Sequence, residues 1–221
     1  MKKTKYITIE GCDGAGKTSL IDGLLAYCEE NGINQQLTKE FGSPLHPMLT
    51  DMRKIALSDE HNLDELSGQI LFGFIAREHR VKVVIPLLEK NELDLIIGDR
   101  GPDSNFSYGP VHGIKDSLIN KLFEVVYSSQ AKKGDPDLII YLDIDPEVAR
   151  KRINEREAEK FENKAVDRVE KKGVEFQKKV RKNFLKRAKN NKKMKVVDVE
   201  NKNKKEVLDQ VVKILKKEKI I

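Results

Sequence analysis

Gly11-Cys12-Asp13-Gly14-Ala15-Gly16-Lys17-Thr18 matches the pattern G-x-x-x-x-G-K-[ST] at every defined position. Tyr6–Glu10, directly before it, reads as a short buried strand. Behind it Leu20, Ile21, Leu24, Leu25 and Cys28 recur at helical spacing, and Asn31-Gly32 ends that helix. In a strand–loop–helix context Gly11, Gly14 and Gly16 let the backbone turn tightly and aim its N–H groups at phosphate oxygens. The helix N-terminus adds its positive end. Gly11, Cys12, Asp13, Gly14, Ala15, Gly16, Lys17, Thr18 and Ser19 are therefore the candidate ATP-binding set. Lys17 is expected to reach the β- and γ-phosphates, and the Thr18 hydroxyl to ligate Mg²⁺.

Outward from the loop, short apolar runs alternate with helical patterns. Gln36–Thr38, Leu93–Gly98, Leu138–Asp143 and Val196–Val199 join Tyr6–Glu10 as strand candidates. Several are nearly unbroken apolar runs, as strands of a parallel sheet covered on both faces require. Val207, Leu208, Val211, Val212 and Leu215 form a second helical stripe. The expected fold is α/β, a three-layer P-loop NTPase sandwich with a central parallel sheet and a mobile helical lid. Residues 1–221 are expected to form one domain, with the lid at about 150–170.

Composition narrows the class. The chain has 221 residues, 35% of them charged, and no apolar run approaches the roughly 18 residues a membrane span needs. The basic start is followed by too short an apolar run for a signal peptide. Two cysteines, Cys12 and Cys28, make no disulfide framework, and a cytoplasmic setting is expected. Cys28 reads as core and Cys12 as a small, tolerated loop residue. Net charge is +6 but uneven: residues 150–221 carry 26 Lys+Arg against 12 Asp+Glu, leaving 16 against 24 in residues 1–149. A basic third can gather phosphate groups or nucleic acid. Scattered Glu and Asp, with no aromatic stacking pattern, favour a solvated lysine-rich surface over nucleic-acid binding.

Leu93–Gly98 runs into Asp99-Arg100. A carboxylate at the C-terminal end of a parallel strand faces the same crevice as the phosphate loop. Asp99 is expected to hold Mg²⁺ or orient the attacking group, and Arg100 to clamp a phosphate. With Asp13 in the loop, Asp99-Arg-Gly-Pro-Asp-Ser-Asn-Phe-Ser-Tyr108, and Asp167-Arg-Val-Glu170 with Phe176, nearly the whole chain resembles the thymidylate kinase family of nucleoside monophosphate kinases.

The resemblance implies Mg-ATP as donor, thymidine monophosphate (dTMP) as acceptor and a homodimer. It places Asp13 on the sugar 3′-hydroxyl, Arg100 on the acceptor phosphate, Ser104 and Asn105 at the pyrimidine edge, and Tyr108 against the sugar 2′ position. From the helix around Phe72–Arg80 it implies a stacking Phe and a phosphate-binding Arg, here Phe72 and Arg77, with Phe74 and Arg80 as alternatives. Lys39-Glu40 stands where family members commonly carry Arg-Glu, so Lys39 keeps the charge without the bidentate fork. Gly14 stands where some members carry an Arg, and members with Gly there supply basic residues from the lid. Arg152 and Arg156 fit that role and join Lys17, Asp99 and Arg100 as the catalytic set. Two rivals remain at this stage. One is a deoxynucleoside kinase using Glu40 as base, or a kinase for another monophosphate, and the other a nucleotide-dependent switch binding nucleic acid through the basic third.

Overall fold

The computed structural model describes residues 3–58, 60–160 and 172–221, without the side chains of 156–160. Its centre is a parallel sheet in the order β2-β3-β1-β4-β5. In chain order the strands are β1 (Lys5–Gly11), β2 (Gln35–Lys39), β3 (Leu95–Asp99), β4 (Leu138–Asp143) and β5 (Met194–Asp198). All five runs read from the sequence are strands, with ends shifted by at most two residues. The apolar alternation is double. Ile7, Ile9, Ile97, Leu138, Ile140 and Leu142 face one layer, while Tyr6, Ile96, Ile139 and Tyr141 face the other. Both faces are covered, so the strands read as continuous apolar runs.

The described α-helices are α1 (Lys17–Glu30), α2 (Pro47–Leu57), α3 (Glu65–His79), α4 (Ile85–Lys90), α5 (Pro102–Tyr108), α6 (Asp116–Val126), α7 (Pro146–Lys160), α8 (Gly173–Asn190) and α9 (Lys204–Lys217). One layer holds α1 and α9, whose Leu20, Leu24, Cys28, Val211 and Leu215 pack on the first sheet face. Cys28 is core, as its place on the stripe predicts. The other layer includes α4 and α8; Phe184 of α8 stacks on Tyr141 with ring centroids 4.7 Å apart. Between α3 and α4 the chain makes a π-turn at Arg80–Val84, where Ile85 N–H reaches back to Arg80 O. Pro86 follows and has no N–H to give, so a widened turn costs this stretch little.

Strand order places the site. β1 has β3 on one side and β4 on the other, so the chain leaves it at the point where the order reverses and a crevice opens beyond the strand ends. Register then sets the neighbours. Ile9 and Lys39 both pair with Asp99, so the phosphate loop, the Lys39 ammonium and the Asp99 carboxylate share one edge of the sheet. The first half of the lid, from 150, lies on α7; residues 161–170, with Asp167–Glu170, fall outside the described residues.

Leu24 is fully buried between α1 and the sheet. Leu24→Ala should lower the unfolding free energy by about 3 kcal/mol, as loss of a buried leucine does, read from denaturant midpoints.

Candidate active site

A cavity of about 430 Å³ opens at that edge. Asp13, Gly14, Gly16, Lys17, Thr18 and Ser19 of the phosphate loop line it. Cys12 and Ala15 instead turn their side chains into the core beneath the loop. Burial pushes the Cys12 thiol up, which suits a packing role. Gly14 has φ +84°, and a Cβ there would lie 2.5 Å from the Ala149 carbonyl oxygen of α7. An arginine at that position, as in some related loops, has no room here.

Lys17 Nζ donates to the carbonyls of Gly11 (3.0 Å) and Cys12 (2.9 Å), and lies 3.5 Å from Asp13. The ammonium thus closes the loop it belongs to. Arg100 sits just past β3 in the left-handed region, φ +68°, a strained setting for a residue with a side chain. Three contacts hold it there. Its guanidinium donates to Asp13 (2.8 Å), to the Gly11 carbonyl (3.2 Å) and to Ser104 Oγ (3.2 Å). Burial disfavours the Asp13 carboxylate, but Arg100 and Lys17 outweigh it and lower Asp13 to about 2. Lys39 Nζ is 3.1 Å from Asp99.

Glu10 carries no signal in the sequence beyond its place at the end of a strand. It is fully buried and accepts the backbone N–H groups of Gly101 (2.9 Å) and Ser104 (3.1 Å) and the Ser104 hydroxyl (2.6 Å). The strand before the loop therefore grips the turn that presents Arg100. Burial pushes Glu10 up to about 8, with the Arg100 guanidinium opposing.

Phe72, Asn105 and Tyr108 also line the cavity. Phe72 meets Phe41 edge to face, centroids 5.4 Å apart. Tyr108 lies beneath the Arg100 guanidinium at 5.3 Å, its hydroxyl buried without a partner. The Ser104 hydroxyl is taken by Glu10. Asn105 Nδ2 donates to Tyr127.

Four expectations move. Arg77 is not on the cavity wall; its guanidinium donates to the Val126 carbonyl (2.8 Å) at the end of α6. The cause is helical phase: five residues at about 100° each carry it about 140° away from Phe72. The alternatives fare no better, since Phe74 faces outward at 43% exposure and Arg80 is buried against Asp135 and the Tyr127 ring. Glu40 is buried behind the wall, 3.3 Å from the Tyr127 hydroxyl, and burial pushes it up to about 7. Glu40 is thus off the cavity wall, where the nucleoside-kinase reading would need its base. Arg152 lines the cavity, but its guanidinium donates to the carbonyls of Val199 (3.0 Å) and Glu200 (2.6 Å) beyond β5 and not toward the loop. The Arg156 side chain lies outside the described residues.

The sequence reading missed Phe41, Arg53, Gln69 and His112 on the wall. Arg53 of α2 has no ion pair among the described residues. Its only sequence signal is a basic residue four positions after the buried Leu49.

Known proteins resemble this arrangement throughout. Residues 9–211 match the family model described as thymidylate kinase. A thymidylate kinase from Ligilactobacillus salivarius (strain UCC118) is 34% identical over 215 residues, covering 96% of this chain and 97% of the relative. One from Bacillus cereus (strain B4264) is 35% identical over 185 residues, 83% of each chain. The crystal structure of a thymidylate kinase from Ehrlichia chaffeensis superposes with a TM-score of 0.71 at 28% identity, over 97% of this chain and 99% of that one.

Folding raises Glu10 from about 4.5 to about 8, so the folded state takes up a proton in that window. Stability linked to Glu10 therefore falls as pH rises from about 4.5 to about 8, and is level beyond. Glu10→Gln removes the titration. Its Tm should gain on the wild type between about pH 5 and about pH 8, as scanning calorimetry checks.

Proposed function

Because the chain belongs to the thymidylate kinase family, we propose that this cavity is where the γ-phosphoryl group of ATP passes to the 5′-phosphate of dTMP, giving the diphosphate used for dTTP synthesis. The reading rests on one observation: the Arg100 guanidinium, in the acceptor corner, reaches the carbonyl of Gly11 in the phosphate loop. Donor and acceptor phosphates bound at these two places meet.

The protein's part is positioning and charge neutralisation, since a phosphate monoester is largely ionised at neutral pH and needs no strong base. Lys17 exchanges its loop carbonyls for the β- and γ-phosphates. Arg100 holds the acceptor phosphate, with Asp13 and Ser104 fixing its fork. Arg53 takes the second acceptor contact that Arg77 is turned away from. Phe72 stacks on the base, Asn105 reads its edge, Asp13 also accepts from the sugar 3′-hydroxyl, and Tyr108 fills the 2′ side. Lys39 sits beside Asp99 and tempers its charge.

Among the described residues no three His, Cys, Asp or Glu side chains could hold a metal alone. Mg²⁺ on a triphosphate needs only one or two protein oxygens, and the Thr18 hydroxyl and Asp99 carboxylate fit as hard ligands on one cavity wall. Bound there, it would neutralise charge on the transferring group. Arg152 and Arg156, from the first half of the lid at 150–170, would add to that neutralisation on closure. The whole chain then works as one kinase domain. No described helix is long and apolar enough to cross a membrane, and the two unpaired thiols suit a reducing cytoplasm.

An apolar stripe on α3 supports a homodimer. Leu66, Ile70 and Phe74, one turn apart, are 36%, 51% and 43% exposed, and Leu118 and Val125 of the neighbouring α6 are exposed too. Such a stripe on a surface helix suits a self-complementary twofold contact.

A coupled assay of ATP consumption tests the function. dTMP should turn over faster than thymidine or other monophosphates, and faster turnover of thymidine would overturn the reading. Lys17→Ala should fold normally and lose about 100-fold or more in kcat. Phe74→Glu should run as a monomer in sedimentation velocity while the unchanged chain runs as a dimer.

A further inference from the structure

The phosphate loop rests on two backbone carbonyls. Gly11 pairs with Leu142 near the end of β4, and a Cβ on Gly11 would lie 3.1 Å from the Leu142 carbonyl oxygen. Behind Gly14 stands the Ala149 carbonyl of α7, which a Cβ on Gly14 would meet at 2.5 Å. Loop and supports thus touch backbone to backbone, and close packing passes a shift of either support to the loop. The turn from Asp143 to Asp145 joins the two supports.

Arg181 of α8 spans that turn. Its Nε and Nη2 donate to the two oxygens of Asp143 (2.8 and 3.0 Å), and its Nη1 donates to Asp145 Oδ2 (3.3 Å). Asp145 Oδ1 accepts the Glu147 N–H (2.8 Å), and the Asp145 carbonyl accepts the Ala149 N–H (2.9 Å). The residue that bears on Gly14 is therefore bonded to the residue that Arg181 holds. Without Arg181, two carboxylates two residues apart lose the cation they share, and their repulsion pushes the turn open. Arg181 itself is not on the cavity wall.

We propose that Arg181 is a positioning residue for the donor nucleotide: by bridging Asp143 and Asp145 it seats the first turn of α7 behind Gly14 and keeps the loop amides converging on the phosphates. This rests on the reading of the loop as the ATP site. Backbone donors grip an anion only while their directions converge, so a small displacement costs affinity. The flat guanidinium fork serves one carboxylate with two bonds and a second with the third, which a lysine ammonium cannot do. The same helix carries a comparison of like chemistry. Further along α8, Arg187 donates to Asp103 (2.7 Å) and lies over the Phe106 ring at 4.4 Å. Asp103 belongs to α5, beside Ser104, and not to either support of the loop.

The test is calorimetric titration of the full chain with ADP, beside kinetics in which ATP and dTMP are varied separately. In Arg181→Met the Kd for ADP and the KM for ATP should both rise by about tenfold, the worth of one charge-assisted hydrogen bond, with the KM for dTMP unmoved. Arg181→Lys should fall between this variant and the wild type. Arg187→Met should leave the Kd for ADP as it is. If thermal unfolding shows that Arg181→Met does not fold, Asp145→Asn decides. It keeps an oxygen for the Glu147 N–H but loses the charge that faces Arg181, and should raise the Kd for ADP by a smaller factor. An unchanged Kd for ADP in folded Arg181→Met, or in Asp145→Asn where that variant alone folds, overturns the proposal. So does a rise shared equally by the KM for dTMP or by Arg187→Met, which marks a merely structural ion pair. In each of these cases wild-type turnover of dTMP leaves the kinase reading standing, whereas a wild type that binds no ADP removes the reading of the loop as well.

Discussion

Glu10 makes the two halves of this site one body. Its carboxyl group lies next to the end of the central strand, just before the phosphate loop, and accepts two backbone N–H groups and a hydroxyl from the turn after β3. Those bonds seat Gly101 and Ser104, and with them Arg100 in its left-handed conformation. Arg100 then reaches back to Asp13 and to the Gly11 carbonyl. The loop and the turn after β3 cannot drift apart while this link holds. Groups at the two places are kept at set distances, which is what transfer by positioning requires.

The same logic of buried partners runs beneath the cavity wall at Asn105. Asn105 faces the cavity, but what it offers depends on Tyr127, and what Tyr127 offers depends on Glu40. Cation and ring then stack at Arg80. Polar groups sealed from water must satisfy one another, so each fixes its neighbour's direction.

Much of this was legible in the chain. The eight residues from Gly11 to Thr18 name the loop outright, because few other spacings let a backbone wrap a phosphate. The strands around Ile97 and Ile140 announce a parallel sheet, since only burial on both faces tolerates unbroken apolar runs. Phe72 on the wall agrees with its expected place on the helix. Arg77 does not, because a likeness of composition around Phe72–Arg80 says nothing of phase, and one residue on a helix is about 100° of turn. Glu40 and Arg152 kept the expected neighbourhoods but took other partners.

Sequence alone thus determined the fold class, the glycine-rich loop and the strand that delivers Asp99 and Arg100, because each depends on local backbone geometry or on a periodic pattern within one element. Tertiary structure alone decided which side chains converge. Glu10 on Ser104, Arg53 on the cavity, Arg77 on the end of α6 and Tyr127 on Asn105 are meetings between residues far apart in the chain. No local pattern encodes them: strand order and helix packing bring the partners within reach, and the cost of leaving a buried polar group unpaired selects among them.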